Sequence, residues 1–162
     1  MTISSSRRKP RIYLAAPLFT PRERSFNAEL KELLTENFDV YLPQVDGLLL
    51  ADLVRRGVNI VDAEKLVFDA DIASMKEVDL LLALLDGANV DEGVAFEIGF
   101  VYSLGKPCIG LQTDIRRQLP TGNNPMIGRS MSHIFLNVDE LLDWGNWFRT
   151  HFQVRQSAAV SS

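Results

Sequence analysis

Glu97 is the residue in this chain that most needs a chemical explanation. It is the only charged residue in an otherwise apolar run that spans residues 93–101. Helical spacing places Val94, Ile98 and Val101 on one stripe, and most other positions are apolar too, so we expect a helix buried nearly all round. Burying an unpaired carboxylate is costly. Glu97 must therefore shift its pKa, find hydrogen-bond donors or face a cavity.

The start of this helix lies close to Glu97. Asp91 can cap it, or Asn89 and Glu92 can form a capping box, so Glu97 lies one to two turns from the helix N-terminus. Glycines flank Glu97, at Gly93 and two residues after it. Because glycine inside a helix costs about 1 kcal/mol relative to alanine, we expect another group to approach the backbone there. A buried glutamate that pairs with Lys, Arg or Tyr only to make the fold specific is the alternative.

Carboxylates of this kind can divide the work of cleaving a glycosidic bond. An oxocarbenium-like transition state needs one ionised carboxylate beneath the sugar and one acid that protonates the leaving group. Glu97 suits the nucleophile, and Asp91 or Asp71 suits the acid. A helix N-terminus favours an ionised Asp91, so a plain helix cap is its alternative role. A solvated helix face is the alternative for Asp71.

The elements that must position these side chains alternate along the chain. Apolar runs predict strands at residues 11–16, 38–42, 78–85, 108–111 and 134–138. Helical periodicity and capping residues predict helices at residues 20–36, 59–77, about 91–102 and 139–152. Residues 43–57 are predicted to be a mixed loop with a short helical turn or lid. Residues 113–132 are predicted to be a long loop with at most a short helix.

This alternation predicts an α/β fold with a parallel sheet and helices on both faces. Five strands favour a flavodoxin-like, doubly wound sheet of order 2-1-3-4-5, which binds ligands beyond the carboxyl ends of its first and third strands. We expect residues 1–10 to be a disordered lead-in, residues 11–152 to form a single domain, and residues 153–162 to be a disordered tail.

Composition argues against several other classes of protein. The chain has 162 residues, a net charge of −4 and no long basic block, which disfavours nucleic acid or an anionic membrane as the partner. We see no signal peptide or spanning segment and expect a cytoplasmic protein. Cys108 is the sole cysteine and lies in an apolar run, so we predict a buried structural thiol.

Cofactor and metal sites are also disfavoured. The loop after the first predicted strand contains no glycine, unlike the loops that cradle the phosphates of flavins and dinucleotides. His133 and His151 lie far from the carboxylates and show no metal-ligand spacing, so we expect ordinary surface or strand-end residues there. We therefore predict no cofactor and no metal.

Four segments together resemble the nucleoside 2-deoxyribosyltransferase family. They are Ile-Tyr-Leu-Ala-Ala-Pro-Leu-Phe at residues 12–19, Asp-Ile-Ala-Ser-Met-Lys-Glu-Val-Asp at 71–79, Asp-Glu-Gly-Val-Ala-Phe-Glu-Ile-Gly at 91–99 and Asn-Pro-Met-Ile at 124–127. They occur in the family's order and run through nearly the whole of the predicted domain. The resemblance implies the flavodoxin-like fold already predicted from the strands.

The resemblance also implies an activity and assigns roles to residues. It implies transfer of 2-deoxyribose between purine or pyrimidine bases through a covalent deoxyribosyl-glutamate, with retention at C1′, as in nucleotide salvage. Glu97 falls at the nucleophile, Tyr13 at the tyrosine that holds this carboxylate, and Asp71 and Asp91 at the pair that binds and protonates the base. The residues predicted to bind substrate are Phe19, Gln44, Gly93, Asn124 and Met126.

The family resemblance implies partners as well. The expected ligands are a deoxynucleoside and a free nucleobase, and the chain is expected to form a homo-oligomer built from dimers. Asn124 is expected to reach the sugar 5′-hydroxyl in a neighbouring subunit. In some members a C-terminal tyrosine enters the partner's site, but residues 153–162 contain no aromatic residue, so we do not predict that contact.

Two other functions compete with transfer. An N-glycoside hydrolase of deoxynucleosides or their 5′-monophosphates would use the same intermediate and release it to water. Such enzymes have a Gly/Ser-rich, Arg-containing first loop that holds phosphate, and the Ala-Pro-Leu-Phe loop here lacks it. A nucleoside-binding or sensor module is the non-catalytic alternative.

Overall fold

The chain folds around a five-stranded parallel sheet. A computed structural model describes residues 8–118 and 122–160. The strands are β1 (Arg11–Ala15), β2 (Asp39–Tyr41), β3 (Leu80–Leu84), β4 (Cys108–Leu111) and β5 (Met131–Phe135). Their order in the sheet is β2-β1-β3-β4-β5, with every neighbouring pair parallel. The predicted flavodoxin-like topology is confirmed.

Seven α-helices and one 3-10 helix occur in the described residues. The α-helices are α1 (Pro21–Leu34), α2 (Pro43–Asp46), α3 (Leu50–Arg55), α4 (Ile60–Glu77), α5 (Glu92–Ser103), α6 (Pro125–Ser130) and α7 (Val138–Val160). The 3-10 helix covers Ile115–Gln118. At the start of α1, Thr20 and Glu23 form the capping box that fixes where the helix begins.

The central strands are buried on both faces because helices cover each side of the sheet. Alternate residues of β1 and β3, such as Ile12 and Leu82, pack into one apolar cluster beneath α1 and α7. Tyr13 and Leu81 point to the opposite face and pack with Val94 and Ile98 of α5. The Tyr13 side chain therefore lies on the face of the sheet that α4 and α5 cover.

Described residues extend beyond both limits of the predicted domain. Arg8, placed in the predicted disordered lead-in, donates to both carboxylate oxygens of Asp79 at 2.6 and 2.9 Å. The predicted tail is helical to Val160, eight residues past the expected end at Phe152. No glycine or proline occurs between Phe152 and Val160 to stop the helix. Residues 1–7, 161 and 162 lie outside the described residues.

The last strand begins earlier than predicted. β5 covers Met131–Phe135 instead of residues 134–138. The difference arises because α6 ends directly at β5, and because Asn137 accepts a hydrogen bond from the backbone of Glu140 at 2.9 Å in the first turn of α7. The residues predicted to close the strand therefore begin the following helix.

Helix α5 is less buried than its apolar sequence predicted. Val94, Ile98 and Val101 form its buried stripe, as expected. Phe96, however, keeps 52% of its surface exposed, and Tyr102 is exposed as well. The prediction that the helix is buried nearly all round was therefore wrong for the isolated chain.

Candidate active site

Tyr13 and Glu97 form the central contact of the site. The Tyr13 hydroxyl donates a hydrogen bond of 2.6 Å to Oε1 of Glu97. Tyr13 lies on β1 and is fully buried, so its ring is fixed by the core while its hydroxyl meets α5. Burial, followed by the negative charge of Glu97, raises the pKa of Tyr13 far above its ordinary value. Tyr13 therefore stays protonated and acts as a donor.

The environment of Glu97 favours its neutral form. The pKa of this carboxyl is raised to about 8, chiefly by burial and to a lesser extent by the charges of Asp71 and Asp91, against the Tyr13 hydrogen bond, which lowers it. Across the described part of the chain, no ion pair includes Glu97. A tyrosine partner alone would also suit a purely structural glutamate, so what Glu97 faces decides between the two interpretations.

Glu97 faces a cavity of about 280 Å³ between α4 and α5. Its lining is mostly apolar and includes three carboxylates. The lining residues are Leu50, Glu64, Val67, Phe68, Asp71, Ile72, Met75, Gly93, Phe96 and Glu97. An apolar cavity with a few polar groups is typical of a small-molecule site. A carboxylate at the wall of such a cavity can react with what enters it.

Asp71 supplies the second titratable group of this cavity. Its Oδ1 atom is buried and has no hydrogen-bond partner in the described part of the chain. Burial raises the pKa of Asp71 to about 6. A carboxyl group whose pKa lies close to neutral pH is a better general acid than an ordinary aspartic acid, and its free oxygen is available to a ligand.

Asp91 is placed differently from Asp71. It is the N-cap of α5, where Oδ2 accepts from the backbone N–H groups of Gly93 at 2.9 Å and Val94 at 3.1 Å. The carboxylate is not part of the cavity lining, although its charge acts on Glu97. Asp91 therefore acts as a helix cap, which was its alternative role. Gly93, whose N–H donates to this cap, does line the cavity.

Phe19 and Gln44, which were predicted to bind substrate, do not line the Glu97 cavity. Phe19 precedes α1 and keeps 73% of its surface exposed. Gln44 uses both ends of its amide within the fold, since Oε1 accepts from Asn27 and Nε2 donates to the carbonyl of Arg24, each at 2.9 Å. In this arrangement Gln44 joins α1 to α2, and one N–H and one oxygen lone pair of its amide are left for a further contact.

Asn124 and Met126 belong to a second cavity, of about 790 Å³, between α5 and α6. Asn124 is the N-cap of α6, and its Oδ1 accepts from the backbone N–H of Met126 at 2.9 Å. Met126 is exposed. Neither residue lines the Glu97 cavity of the same chain, so these two predicted residues are not brought together with Glu97 within one subunit.

Seven of the ten residues that line the Glu97 cavity were not predicted as site residues, among them Glu64, Phe68 and Phe96. The rings of the two phenylalanines lie 6.0 Å apart, and Phe68 is 55% exposed. Glu64, Phe68 and Asp71 follow the spacing i, i+4, i+7 along α4, which puts them on one helix face. That spacing was available in the sequence and could have located them.

The described residues contain no group of His, Cys, Asp and Glu side chains that could hold a metal ion. None of the helices described combines the length and apolar character needed to cross a bilayer.

Comparison with known proteins supplies the family context. A family model described as nucleoside 2-deoxyribosyltransferase matches residues 12–142. A crystal structure of a conserved protein from Enterococcus faecalis V583 is 28% identical, with a TM-score of 0.67, and the match covers 86% of this chain and 98% of that chain. No curated protein matches the chain.

Two further solved structures share the fold. A 2-deoxyribosyltransferase from the psychrotolerant bacterium Bacillus psychrosaccharolyticus is 24% identical, with a TM-score of 0.66, over 82% of this chain and 90% of that chain. The CMP N-glycosidase BcmB from Clostridium botulinum is 20% identical, with a TM-score of 0.53, over 85% of this chain and 98% of that chain. At these identities the likeness concerns the fold alone.

Proposed function

We propose, because this chain belongs to the nucleoside 2-deoxyribosyltransferase family, that it transfers 2-deoxyribose from one nucleobase to another. Family membership makes it a nucleoside-processing enzyme, by deoxyribosyl transfer or by N-glycosidic cleavage. The single observation that carries the proposal is the Glu97 carboxyl, held at 2.6 Å by Tyr13 and facing a cavity that also contains Asp71. This is the pair of carboxyl groups that retaining chemistry at a glycosidic carbon requires.

The reaction we propose is a double displacement. An oxygen of ionised Glu97 attacks C1′, the C1′–N bond breaks, and its electron pair leaves with the base, which takes a proton from an acid. An incoming base then attacks C1′ with its own nitrogen, its N–H proton passes to the carboxylate that the first step left deprotonated, and the ester bond to Glu97 breaks. Two inversions give overall retention.

Asp71 is the better supported of the two acids. Its pKa of about 6 lies nearer to neutral pH than the ordinary 3.8, which makes its protonated form more accessible, and its Oδ1 has no partner in the part of the chain that the structure describes. The Asp91 carboxylate already accepts two backbone hydrogen bonds as a helix cap. We therefore assign proton delivery to Asp71, and to Asp91 a charge that acts on Glu97 and holds the helix start.

Proton sharing between the two carboxyl groups follows from their pKa values. Asp71 ionises near pH 6 and Glu97 near pH 8, so one proton resides on the pair between these values. The reactive form has Glu97 ionised and the proton on Asp71. Tyr13 favours this form because its hydroxyl stabilises the Glu97 carboxylate.

We infer further that the enzyme is a homo-oligomer built from dimers in which a neighbour completes the site. Exposed aromatic rings at the cavity, Phe68 and Phe96, support a surface that another subunit covers. Asn124 and Met126 lie in a different cavity of their own chain, which fits a role in the neighbour's site. Dimer formation by sedimentation, with loss of exchange after Asn124→Ala in an intact dimer, would support this; an active monomer would contradict it.

Base exchange is the direct test of the activity. Purified protein is mixed with deoxyinosine or thymidine and adenine, and deoxyadenosine is measured. We expect exchange in the wild type and none in a folded Glu97→Ala variant. Glu92→Ala is the matched control, since Glu92 is an exposed glutamate at the start of the same helix and should leave exchange intact. Full activity of Glu97→Ala would refute the proposal.

The hydrolase alternative is tested in the same assay by omitting the acceptor base. The observation that supports this alternative is the fold likeness to a CMP N-glycosidase. No lysine or arginine lines the described Glu97 cavity, so we expect little cleavage of 5′-monophosphates. Free deoxyribose formed equally fast with and without acceptor would favour the hydrolase. Binding of nucleoside with neither product would favour a sensor module.

A further inference from the structure

Tyr41 supports the Tyr13–Glu97 pair from the neighbouring strand. In the parallel pairing of β1 with β2, Tyr41 lies in register with Tyr13. Side chains paired in this way point to the same face of the sheet. The two rings are stacked, with centroids 5.4 Å apart and planes inclined at 23°. One flat face of the buried Tyr13 ring therefore rests against Tyr41.

The far end of Tyr41 is anchored as well. Its hydroxyl lies close to the side chain of Ser74, which is on α4 one turn after Asp71 and donates to the carbonyl of Ala70 at 2.9 Å. Gly47 closes over the same hydroxyl, since a Cβ added there would lie 3.0 Å from it and 2.7 Å from the carbonyl oxygen of Pro43. Tyr41 is thus held between β2, the loop after α2, and the helix that carries Asp71.

We propose that Tyr41 is a positioning residue that fixes the Tyr13 hydroxyl against Glu97. The inference rests on the proposed function, in which Glu97 is the nucleophile. A tyrosine hydroxyl stands at the tip of a long ring, so a small tilt of the ring displaces it from its acceptor. Reacting groups must be held within about 0.5 Å and 10 to 20° of their productive geometry, and the stacked Tyr41 ring supplies such a restraint.

The physical consequence is a change in the proton affinity of Glu97. The charged or titratable groups that act on Glu97 are Tyr13 from β1, Asp71 from α4 and Asp91 at the start of α5. Only the Tyr13 hydroxyl favours the ionised form. When Tyr41 is shortened, we expect Tyr13 to lose part of its alignment, so that Glu97 ionises at higher pH while Asp71 and Asp91 are unchanged.

The test is a pH titration of the Glu97 carboxyl carbon by ¹³C NMR, which needs no substrate. The resonance is assigned by its absence in Glu97→Gln. Tyr13→Phe should raise the titration midpoint by about 0.7 pH unit, which corresponds to one lost hydrogen bond. Tyr41→Leu should raise the midpoint by about 0.3 to 0.7 pH unit. Tyr41→Phe keeps the ring and lacks only the hydroxyl that lies near Ser74, so it should raise the midpoint by less.

Two controls separate positioning from general loss of stability. Phe38→Leu removes a stacked aromatic ring from the opposite apolar cluster and should lower the melting temperature without moving the Glu97 midpoint. In a Tyr13→Phe background, Tyr41→Leu should cause no further shift if it acts through Tyr13. Additive shifts in the double variant would overturn the proposal.

An unchanged midpoint in a folded variant that lacks the Tyr41 ring would also overturn it. If Tyr41→Leu does not fold, Tyr41→Ile, a residue that strands favour, takes its place. Base exchange is then measured on the same samples. If the Tyr41 variant shifts the Glu97 midpoint but the wild type itself exchanges no base, the proposed function is refuted and the positioning role of Tyr41 stands. Normal exchange with an unshifted midpoint refutes only the role of Tyr41.

Discussion

Replacing Glu97 by glutamine should stabilise the fold, and the gain should grow with pH. Glutamine has nearly the same shape, and its side-chain oxygen can accept the same hydrogen bond from the Tyr13 hydroxyl, which lies 2.6 Å from Oε1 in the wild type. Glutamine cannot ionise, so it avoids the cost of a charge in this apolar cavity. Residues that act in catalysis often reduce stability in this way.

The size of the effect follows from the two pKa values of Glu97. The carboxyl ionises near its ordinary 4.5 in the unfolded chain and near about 8 in the fold. The folded state therefore binds the proton more tightly, and the free energy of unfolding falls as pH rises from about 4.5 to about 8. The full difference corresponds to about 5 kcal/mol. Water at the cavity mouth screens part of this, so we expect about 2 to 4 kcal/mol at pH 9 and less than about 1 kcal/mol at pH 5.

Urea unfolding of the wild type and Glu97→Gln at pH 5 and pH 9 measures this difference. Glu92→Gln is the matched control, because Glu92 is exposed and its replacement should have a small effect at both pH values. A Glu97→Gln gain of equal size at pH 5 and pH 9, or a loss of stability at pH 9, would refute the argument. Either result would mean that Glu97 is ionised at little cost in the native protein.

Three further predictions concern the same group of side chains. Tyr13→Phe should lower kcat/KM for base exchange by about 5- to 150-fold, because one hydrogen bond to the nucleophile is lost, and should move the optimum to higher pH; an unchanged rate would contradict the role of Tyr13. Asp71→Asn should slow exchange by about 10²- to 10⁴-fold, because the acid that protonates the leaving base is lost. It should also lower the pKa of Glu97 below about 8, because a nearby negative charge disappears. An equal loss of rate with a donor whose base leaves without protonation would argue against an acid role. In the wild type, kcat/KM should be greatest between about pH 6 and pH 8, where the pair holds one proton, and a profile still rising above pH 9 would exclude this scheme.

The sheet could be predicted from the sequence because its strands are buried on both faces. Continuous apolar runs such as residues 80–85 are too short for a buried helix and suit a strand covered on both faces, and their alternation with helices dictates parallel pairing. The last strand was misplaced because the residues around Ser132 and His133 are polar and exposed, as suits an edge strand. The hydrophobic pattern of these residues therefore does not identify a strand, and the bounds of β5 are set by its pairing with β4.

The site was less predictable than the fold because its parts depend on contacts between elements distant in sequence. A lone glutamate in an apolar helix marked Glu97, but its hydrogen bond to Tyr13 spans 84 residues. Gln44 has the type and position of a base-binding amide, yet its hydrogen bonds to Asn27 and Arg24 were invisible in the sequence. Side-chain hydrogen bonds of this kind are set by tertiary structure and leave no periodic signal.

Helix α5 shows why an apolar sequence and a functional site can occupy the same twelve residues. Its buried stripe anchors the helix to β3 and β4, and the next face presents Glu97 to the cavity. The remaining face exposes Phe96 and Tyr102, which a helix serving only the core of one chain would not need to keep apolar. If a second subunit covers that face, its burial would remove water from the mouth of the Glu97 cavity and raise the pKa of Glu97 further. Dilution that separates the subunits should then lower the Glu97 midpoint to the value of about 8 that the single chain gives, and a midpoint independent of protein concentration across the dissociation range would show that the carboxyl is shielded within a single chain.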